Sequence, residues 1–522
     1  MGRRLWSVGL PTHVLVYCGL LTCLLFLFPA SGSFSSDDGA YAGAVHALEN
    51  GSWTLDRPLP EVESFHEGWI NSRLSDEGPL PYVRHPGYVY VLYGSTKIFG
   101  SAFGIGVPAV IGSIMAAVAA WLIAAIYDRA SARSAFWIVA LSPMVFNATT
   151  FWAHSLATGF CGLALWATIR ATRATGNAVL VSSLLVVASS TTAAVFLRTE
   201  VVLWLVALAV GVGVATRSVR VSGAVWAALG PGFVAFLADR WWSQTILDQY
   251  NTSNGVGPPQ PSWLSSRLSA GFHTFLSPSN GATGFCILLA VALIVFGSTR
   301  YRLRGDTRAA TGLFVIAGLL FVVPLALDAR PLTGLVAAWP VVFAAAIAGR
   351  KKHDDLRLLY LPAIGLAVLV FLTQYATGGG LEWGGRYMSI SLVGLGVWAA
   401  LRLRQLSANA PLGLIAIVIG PAILALGVSY NYHVRSAAFV AVPMVNNPDV
   451  VVSKQPAGPR TAWSALPTAW YTADEENLQS LLDDLGEAEV ARISVYDFDE
   501  VMAPVGYKTE VLNDRVTQLV AE

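Results

Sequence analysis

The chain has 522 residues, of which 55% are hydrophobic and only 12% are charged, and its mean hydropathy is +0.57. Soluble domains carry about a quarter charged residues, so this balance excludes an ordinary soluble protein and indicates an integral membrane protein. All four cysteines lie in apolar runs, which argues against a disulfide framework. The net charge is only +1, although acidic and basic residues are strongly segregated along the chain.

Membrane-length apolar runs recur along the chain and predict about thirteen transmembrane helices, several of them short. The first run follows Arg3 and Arg4 and resembles a signal sequence. We expect it to be retained, because its length approaches the roughly 20 residues that cross a bilayer. The runs cover residues 10–29, 104–127, 135–150, 154–170, 178–196, 200–216, 222–238, 283–298, 309–327, 331–349, 357–375, 386–401 and 411–429.

Basic residues concentrate in every second connector between these runs. The short connectors hold 18 of the 33 Lys and Arg residues but only 4 of the 32 acids. Because basic connectors stay in the cytoplasm, we expect a cytoplasmic N-terminus and an extracytoplasmic C-terminus. This orientation places residues 30–103, 239–282 and the whole tail after residue 429 on the outer face. The Lys-poor composition, rich in Ala, Val and Arg, is typical of a bacterial plasma (inner) membrane protein.

The composition changes near residue 435 and predicts two domains. Residues 1–434 form a transmembrane domain, and residues 435–522 form a small acidic extracytoplasmic domain, with 14 acids against 5 basic residues from Asp449 onward. Within the second domain, residues 474–485 predict an amphipathic helix and residues 491–496 predict a strand. We expect an α/β module without catalytic residues.

Two adjacent carboxylates, Asp37 and Asp38, follow the first apolar run. Tyr41 and the apolar positions after it keep helical spacing as far as Asn50-Gly51, which predicts a helix lying along the outer membrane surface. The carboxylates either cap this helix or act as a general base that takes a proton from a hydroxyl group. Because neighbouring carboxylates disfavour joint ionisation, their protonation is expected to be coupled.

Basic residues at the outer ends of later runs are candidates for binding a phosphate. Arg84 and His85 precede Pro86 and are either interfacial anchors or phosphate ligands. Arg198 and Glu200 lie between two apolar runs, where they either pair with each other or belong to a site.

Arg386 enters a late run from the outer face, directly after two glycines. Its guanidinium could bind a phosphate with two hydrogen bonds at once, next to accessible backbone. Glu382 is its expected structural partner.

These elements together resemble the GT-C superfamily of glycosyltransferases that use polyprenyl-phosphate sugars. The first loop is similar to that of protein O-mannosyltransferases and lipid A aminoarabinose transferases. In those families the leading acid of the pair is the base, which maps onto Asp37; Asp38 stands where Glu is usual, so the choice between the two stays open. The matching elements are Asp37-Asp38-x-x-Tyr41, Gly51-x-Trp53, His85-Pro86-Gly87-Tyr88, Arg198-Thr199-Glu200 (with Thr for the family's Pro) and Gly385-Arg386-Tyr387-Met388.

The resemblance implies an all-α polytopic fold of the GT-C type and an inverting sugar transfer on the extracytoplasmic face. The donor is a sugar linked to polyprenyl phosphate in the membrane lipid, and the acceptor is a hydroxyl group of a glycan, lipid or protein. No nucleic acid, nucleotide or cofactor is expected, although a divalent ion between phosphate and carboxylate stays open. The implied roles are general base for Asp37 or Asp38, donor-phosphate binding for Arg386, Arg198, Arg84 and His85, and substrate-pocket lining for Tyr41, Glu200, Glu382 and Tyr387.

Two other functions compete with this interpretation. A secondary transporter or lipid flippase would have paired halves, broken helices and acids buried in the membrane, whereas the acids here crowd the outer loops. A non-catalytic assembly subunit would use the acidic tail to bind a partner. Replacing Asp37 and Asp38 separately by Asn distinguishes these classes, because only the transferase loses turnover while it stays folded.

Overall fold

A computed structural model describes most of the chain, and its helices follow the apolar runs. The described residues are 9–27, 36–55, 59, 62, 72–75, 77–81, 85–216, 218–250, 263–276, 282–328, 334–348, 356–373, 385–405, 420–436, 446–454, 468–498, 500–513 and 515–522. The first part contains α1 (Leu10–Leu27), α2 (Ser36–Glu49), the antiparallel strands β1 (Ser72–Ser75) and β2 (Gly78–Pro81), α3 (Pro86–Phe99), α4 (Ser101–Gly104), α5 (Val107–Tyr127), α6 (Ala132–Ala140), α7 (Met144–Ala148), α8 (His154–Thr172), α9 (Asn177–Leu197) and α10 (Val201–Ala215).

The second part continues with helices and ends in a sheet. It contains α11 (Val219–Gln249), α12 (Trp263–Leu276), α13 (Ala282–Arg304), α14 (Thr307–Asp328), α15 (Leu335–Ala338), α16 (Pro340–Ala348), α17 (Arg357–Thr373), a 3₁₀ turn (Arg386–Ser391), α18 (Leu392–Gln405), α19 (Gly420–Ser436), β3 (Val450–Ser453), β4 (Ala469–Thr472), α20 (Leu478–Glu487), β5 (Arg492–Tyr496), β6 (Tyr507–Asn513) and β7 (Val516–Ala521).

Helices α5, α9 and α11 are long and apolar enough to cross a membrane by length and composition, and five shorter apolar helices accompany them in the described part of the chain. The number of thirteen spans stays a prediction. The run 135–150 is divided at Pro143 into α6 and α7, and the run 331–349 is divided at Trp339. Pro143 and Pro340 explain the two breaks, because proline lacks a backbone N–H and is better accommodated at the start of a helix than in its interior.

Two other expectations differ from the structure. Helix α11 extends through Gln249, so residues 239–249 of the expected outer loop are helical and the 31-residue helix carries them beyond bilayer depth. Helix α2 is enclosed by protein along its length instead of lying on an open surface. Its small and apolar side chains, such as Ala40, Ala44 and Val45, are fully buried, which lets it pack closely against α3 and β2.

Helices α5 and α8 pack in close contact at Gly112. A Cβ atom at Gly112 would lie 2.2 Å from the backbone nitrogen of Leu156, so only glycine permits this approach. The contact fixes the first turn of α8 against α5 and thereby the position of His154, the first residue of α8.

The C-terminal residues form a five-stranded sheet in the order β4-β3-β5-β7-β6, in which β3 runs parallel to β4 and β5. Val450 and Val452 pack with the apolar face of α20, whereas Val451 and Trp470 join the hydrophobic core of the helical part. This alternation follows the two-residue period of a strand. The domain boundary between residues 434 and 435 stays a prediction, since residues 437–445 lie outside the described residues.

Helix α20 contributes one apolar face to this module, and Leu481 on that face is fully buried. We expect Leu481→Ala to lower the free energy of unfolding of the module by about 2–5 kcal/mol, because it removes buried methyl groups and leaves a cavity. Ser480→Ala on the exposed side is the control, with an expected change within about 0.5 kcal/mol. Hydrogen exchange of β3 and β5 amides in the full-length protein measures both, and equal exchange in the two variants would contradict the packing described here.

Candidate functional site

The acid pair opens helix α2, where the exposed backbone N–H groups of the first turn favour negative charge. The two carboxylates point to different partners. Asp37 accepts a hydrogen bond from Nη2 of Arg386, which lies 349 residues later in the sequence. Asp38 is fully buried and accepts a hydrogen bond of 2.6 Å from the backbone N–H of Phe151. One carboxylate therefore faces a cation, and the other holds a loop.

The loop before α8 is held at both backbone polar groups of one residue, Phe151. Asp38 binds the N–H of Phe151, and the hydroxyl of Tyr88 donates to its carbonyl oxygen at 2.7 Å. The ring of Tyr41 meets that of Tyr88 edge to face, at 5.1 Å between centroids. These contacts connect α2, α3 and the residues that lead into α8.

Arg386 is positioned by the glycine before it. Gly385 has a φ of +70°, and a Cβ atom there would lie 2.8 Å from the carbonyl oxygen of Thr274, so a side chain has neither the conformation nor the space. The Nε of Arg386 donates to Nε2 of His154 at 3.1 Å. The guanidinium also lies over the ring of Trp152 at 5.4 Å, a cation–π contact. Arg386 is thus held by an anion, an imidazole and an aromatic face.

His154 acts as an acceptor in this arrangement. Because Nε2 receives the arginine N–H, the ring proton is assigned to Nδ1. Nδ1 is enclosed and has no hydrogen-bond partner among the described residues. The ring of Trp152 packs edge-on against the imidazole at 5.5 Å.

A second charged cluster lies between the end of α9, the start of α10 and helix α11. Nη2 of Arg198 donates to Oε1 of Glu200 at 2.8 Å. His85 lies between two carboxylates: its Nε2 is 3.9 Å from Oε2 of Glu200, and its Nδ1 is 3.8 Å from Oδ2 of Asp239. Arg198, His85 and Asp239 are almost completely buried, whereas Glu200 is partly exposed.

The two clusters influence each other electrostatically. Burial alone would raise the pKa of Glu200, but the charges of Arg198, His85 and Arg386 outweigh it and lower the pKa to about 2. Glu200 is therefore ionised throughout the physiological range. Arg386 is among the charges that lower this pKa, so it lies within electrostatic range of Glu200.

The structure brings together most of the residues predicted from the sequence. Asp37 contacts Arg386, Arg198 contacts Glu200, and His85 lies beside Glu200. The Tyr387 ring lies 5.8 Å from the Arg386 guanidinium carbon, and Tyr41 packs on Tyr88, so both belong to the surroundings of the acid pair. The predicted residues that lie outside the described ones are Arg84 and Glu382. The roles assigned to all ten residues stay predictions.

Three residues of the site are not predicted from the sequence. Asp239 directly follows the run 222–238, and an ionisable residue at the end of an apolar run is the feature that could have identified it as a site residue. His154 and Trp152 lie where one apolar run ends and the next begins, so they looked like ordinary span ends. Only the folded chain brings them to Arg386.

The described residues contain no group of three His, Cys, Asp or Glu side chains arranged to hold a metal ion. The expectation that no cofactor takes part stays a prediction, as does the alternative of a divalent ion between phosphate and carboxylate.

No family model matches the sequence, and no curated protein matches it. The fold is similar to that of ArnT, a lipid A aminoarabinose transferase, from Cupriavidus metallidurans bound to undecaprenyl phosphate, with 12% identity, a TM-score of 0.55 and coverage of 97% of either chain. The Archaeoglobus fulgidus oligosaccharyltransferase tethered with an acceptor peptide matches with 11% identity and a TM-score of 0.47, over 93% of this chain and 69% of that chain. This chain therefore shares its fold with ArnT over almost its whole length, as the resemblance in its sequence predicts.

Proposed function

We propose that this protein is a membrane glycosyltransferase that moves a sugar from a polyprenyl-phosphate-linked donor to a hydroxyl acceptor on the extracytoplasmic face. The observation that carries the proposal is the contact between Asp37 and Arg386, which come from opposite ends of the helical part. A carboxylate next to a guanidinium supplies a proton acceptor and a phosphate-binding group in one place. The shared fold with ArnT, whose structure contains undecaprenyl phosphate, supports the donor class.

Asp37 is the better general base of the two acids. Its side chain keeps 14% of its surface accessible, whereas Asp38 is fully buried and engaged with the N–H of Phe151. A base must reach the hydroxyl proton, so accessibility favours Asp37. Asp38 then acts as the residue that fixes the loop that carries Trp152 and leads into His154 at the start of α8.

The proposed reaction is an in-line displacement at the anomeric carbon. The acceptor oxygen forms a bond to that carbon, while the bond from the carbon to the phosphate oxygen breaks, which inverts the configuration. The hydroxyl proton passes to the Asp37 carboxylate and from there to solvent. Polyprenyl phosphate leaves as a monoester, and its growing negative charge is stabilised by Arg386, Arg198 and His85.

The direction of the helices supports a reaction on the extracytoplasmic face. His154 begins α8, and Arg170 lies in the last turn of the same helix. Arg198 and Glu200 precede α10, and the next basic residues, Arg217 and Arg220, follow its other end. The site and the basic connectors therefore lie at opposite ends of these helices, and the positive-inside rule places the connectors in the cytoplasm.

The transporter and assembly-subunit alternatives are separated from the transferase by product analysis. The full-length protein in lipid nanodiscs is incubated with a panel of undecaprenyl-phosphate-linked hexoses and pentoses together with membrane extract as a source of acceptors. Mass spectrometry then detects free undecaprenyl phosphate. Release of undecaprenyl phosphate that depends on the protein supports the transferase. If no donor in the panel releases it, the transferase proposal is overturned.

Asp37→Asn is expected to lower donor turnover by roughly 10²–10⁴-fold, because the amide removes the base. Asp38→Asn keeps an oxygen that accepts the N–H of Phe151, so its turnover is expected to fall less than about tenfold. Asp37→Asn removes the charge that compensates Arg386, so its thermal unfolding midpoint is expected to fall, and turnover is compared at a temperature at which both variants are folded. A larger loss in Asp38→Asn than in Asp37→Asn would exchange the two roles.

Arg386→Lys is expected to lower kcat/KM by roughly 10–100-fold, since lysine keeps the charge but lacks the planar fork that reaches Asp37 and His154 together. The matched control is Arg404→Lys on α18, because Arg404 is half exposed and pairs with Asp128 at the opposite end of the bundle. Steady-state kinetics with varied donor measures both variants. Equal losses would show that the effect comes from the bundle and not from the site.

A further inference from the structure

His85 has an unusual backbone conformation. Its φ of 69° and ψ of 55° lie in the left-handed region, which residues other than glycine seldom adopt. His85 also precedes Pro86, and a residue before proline is normally extended. Such a conformation persists only where the surroundings impose it, and it often marks a functional position. Here it places the imidazole ring between Glu200 and Asp239.

The two carboxylates lie at opposite edges of that ring, each opposite one nitrogen. The distances of 3.8 Å to Asp239 and 3.9 Å to Glu200 are longer than a hydrogen bond, so the attraction is electrostatic and a small shift of the ring would complete either bond. Because the carboxylates do not converge on one point, they suit an imidazolium, which donates from both nitrogens, better than a shared metal ion.

Three buried polar atoms of this cluster have no hydrogen-bond partner among the described residues: Nδ1 of His85, Oε2 of Glu200 and Oδ1 of Asp239. Buried polar atoms are normally paired, so three unpaired atoms in one place disfavour a purely stabilising role. Asp239 is the extreme case, because its carboxylate is only 2% exposed and burial of a charged group is costly unless the group is paired.

The charges of the cluster explain what Asp239 contributes. Arg198 is already paired with Glu200, so it offers an incoming phosphate a compensated charge. If the His85 ring is neutral, the cluster carries a net charge of −1, which repels phosphate. The four side chains counted are those of Arg198, Glu200, His85 and Asp239. With an imidazolium the cluster is neutral, and the ring edge facing Glu200 and Arg198 carries a charged N–H donor.

We propose that Asp239 is a positioning residue that holds the His85 imidazolium by its Nδ1 edge, so that Nε2–H is directed to the phosphate of the lipid donor. This inference rests on the proposed function. Glu200 faces the same N–H in the absence of a lipid phosphate, and its partly exposed side chain has room to move aside when the phosphate arrives. Asp239 itself does not touch the substrate.

The test measures the equilibrium binding of undecaprenyl phosphate to the full-length protein in detergent, by quenching of its tryptophan fluorescence. Asp239→Asn is expected to raise the Kd about tenfold, as loss of a charge-assisted contact would, and Asp239→Glu to restore most of the affinity. His85→Asn is expected to raise the Kd similarly, because asparagine tolerates the left-handed backbone but carries no charge. Asp248→Asn, an exposed acid on the same helix, is the control and should bind as the parent protein does.

The double variant Asp239→Asn/His85→Asn decides whether Asp239 acts through His85. If it does, the double variant binds no more weakly than either single variant. The inference would be overturned if the double variant raised the Kd by the product of the two single factors, or if Asp239→Asn bound as tightly as the parent protein. Either result would leave the proposed function intact. Failure of the parent protein to bind undecaprenyl phosphate would instead count against the proposed function. Unchanged thermal midpoints exclude loss of folded protein. A lower kcat/KM for the donor is the expected kinetic counterpart, because His85 also stabilises the charge that develops on the leaving phosphate.

Discussion

The contact between Asp37 and Arg386 is the interaction on which the arrangement of the site depends. Both side chains are mostly enclosed, so neither charge has its full hydration, and either one alone would be costly to keep there. The pair persists because the protein supplies further partners: the first turn of α2 for the carboxylate, and His154 and the face of Trp152 for the guanidinium. It joins helix α2 to the 3₁₀ turn that precedes α18.

Around this pair, charge is distributed so that Arg386, Arg198 and His85 each have an anionic neighbour. Glu200 compensates Arg198 and faces His85, and its low pKa keeps it ionised. Under the proposed function, a lipid phosphate that displaced a carboxylate would meet cations that are already oriented. Preorganised donors of this type stabilise a developing negative charge without rearrangement at the moment of reaction.

The sequence was informative wherever an ionisable residue interrupts or borders an apolar run. Asp37, Arg198 and Arg386 were recognisable because charge near hydrocarbon is costly and therefore rarely incidental. Asp239 was not, because helix α11 continues past its apolar stretch with no proline or glycine to end it, and hydropathy alone placed the boundary too early. The order of the helices followed from composition, but the meeting of His154 with Arg386 depends on how α8 packs, which has no local signature.

The separation of 349 residues between Asp37 and Arg386 has a consequence for biogenesis. At roughly 5–20 residues per second, the ribosome makes the guanidinium about 20–70 seconds after the carboxylate. During that interval Asp37 has no Arg386 to neutralise it, so water must solvate it at the membrane surface. The contact between Asp37 and Arg386 is thus among the last features of the helical part to assemble, and a nascent chain interrupted before residue 386 would hold its earlier helices without this contact.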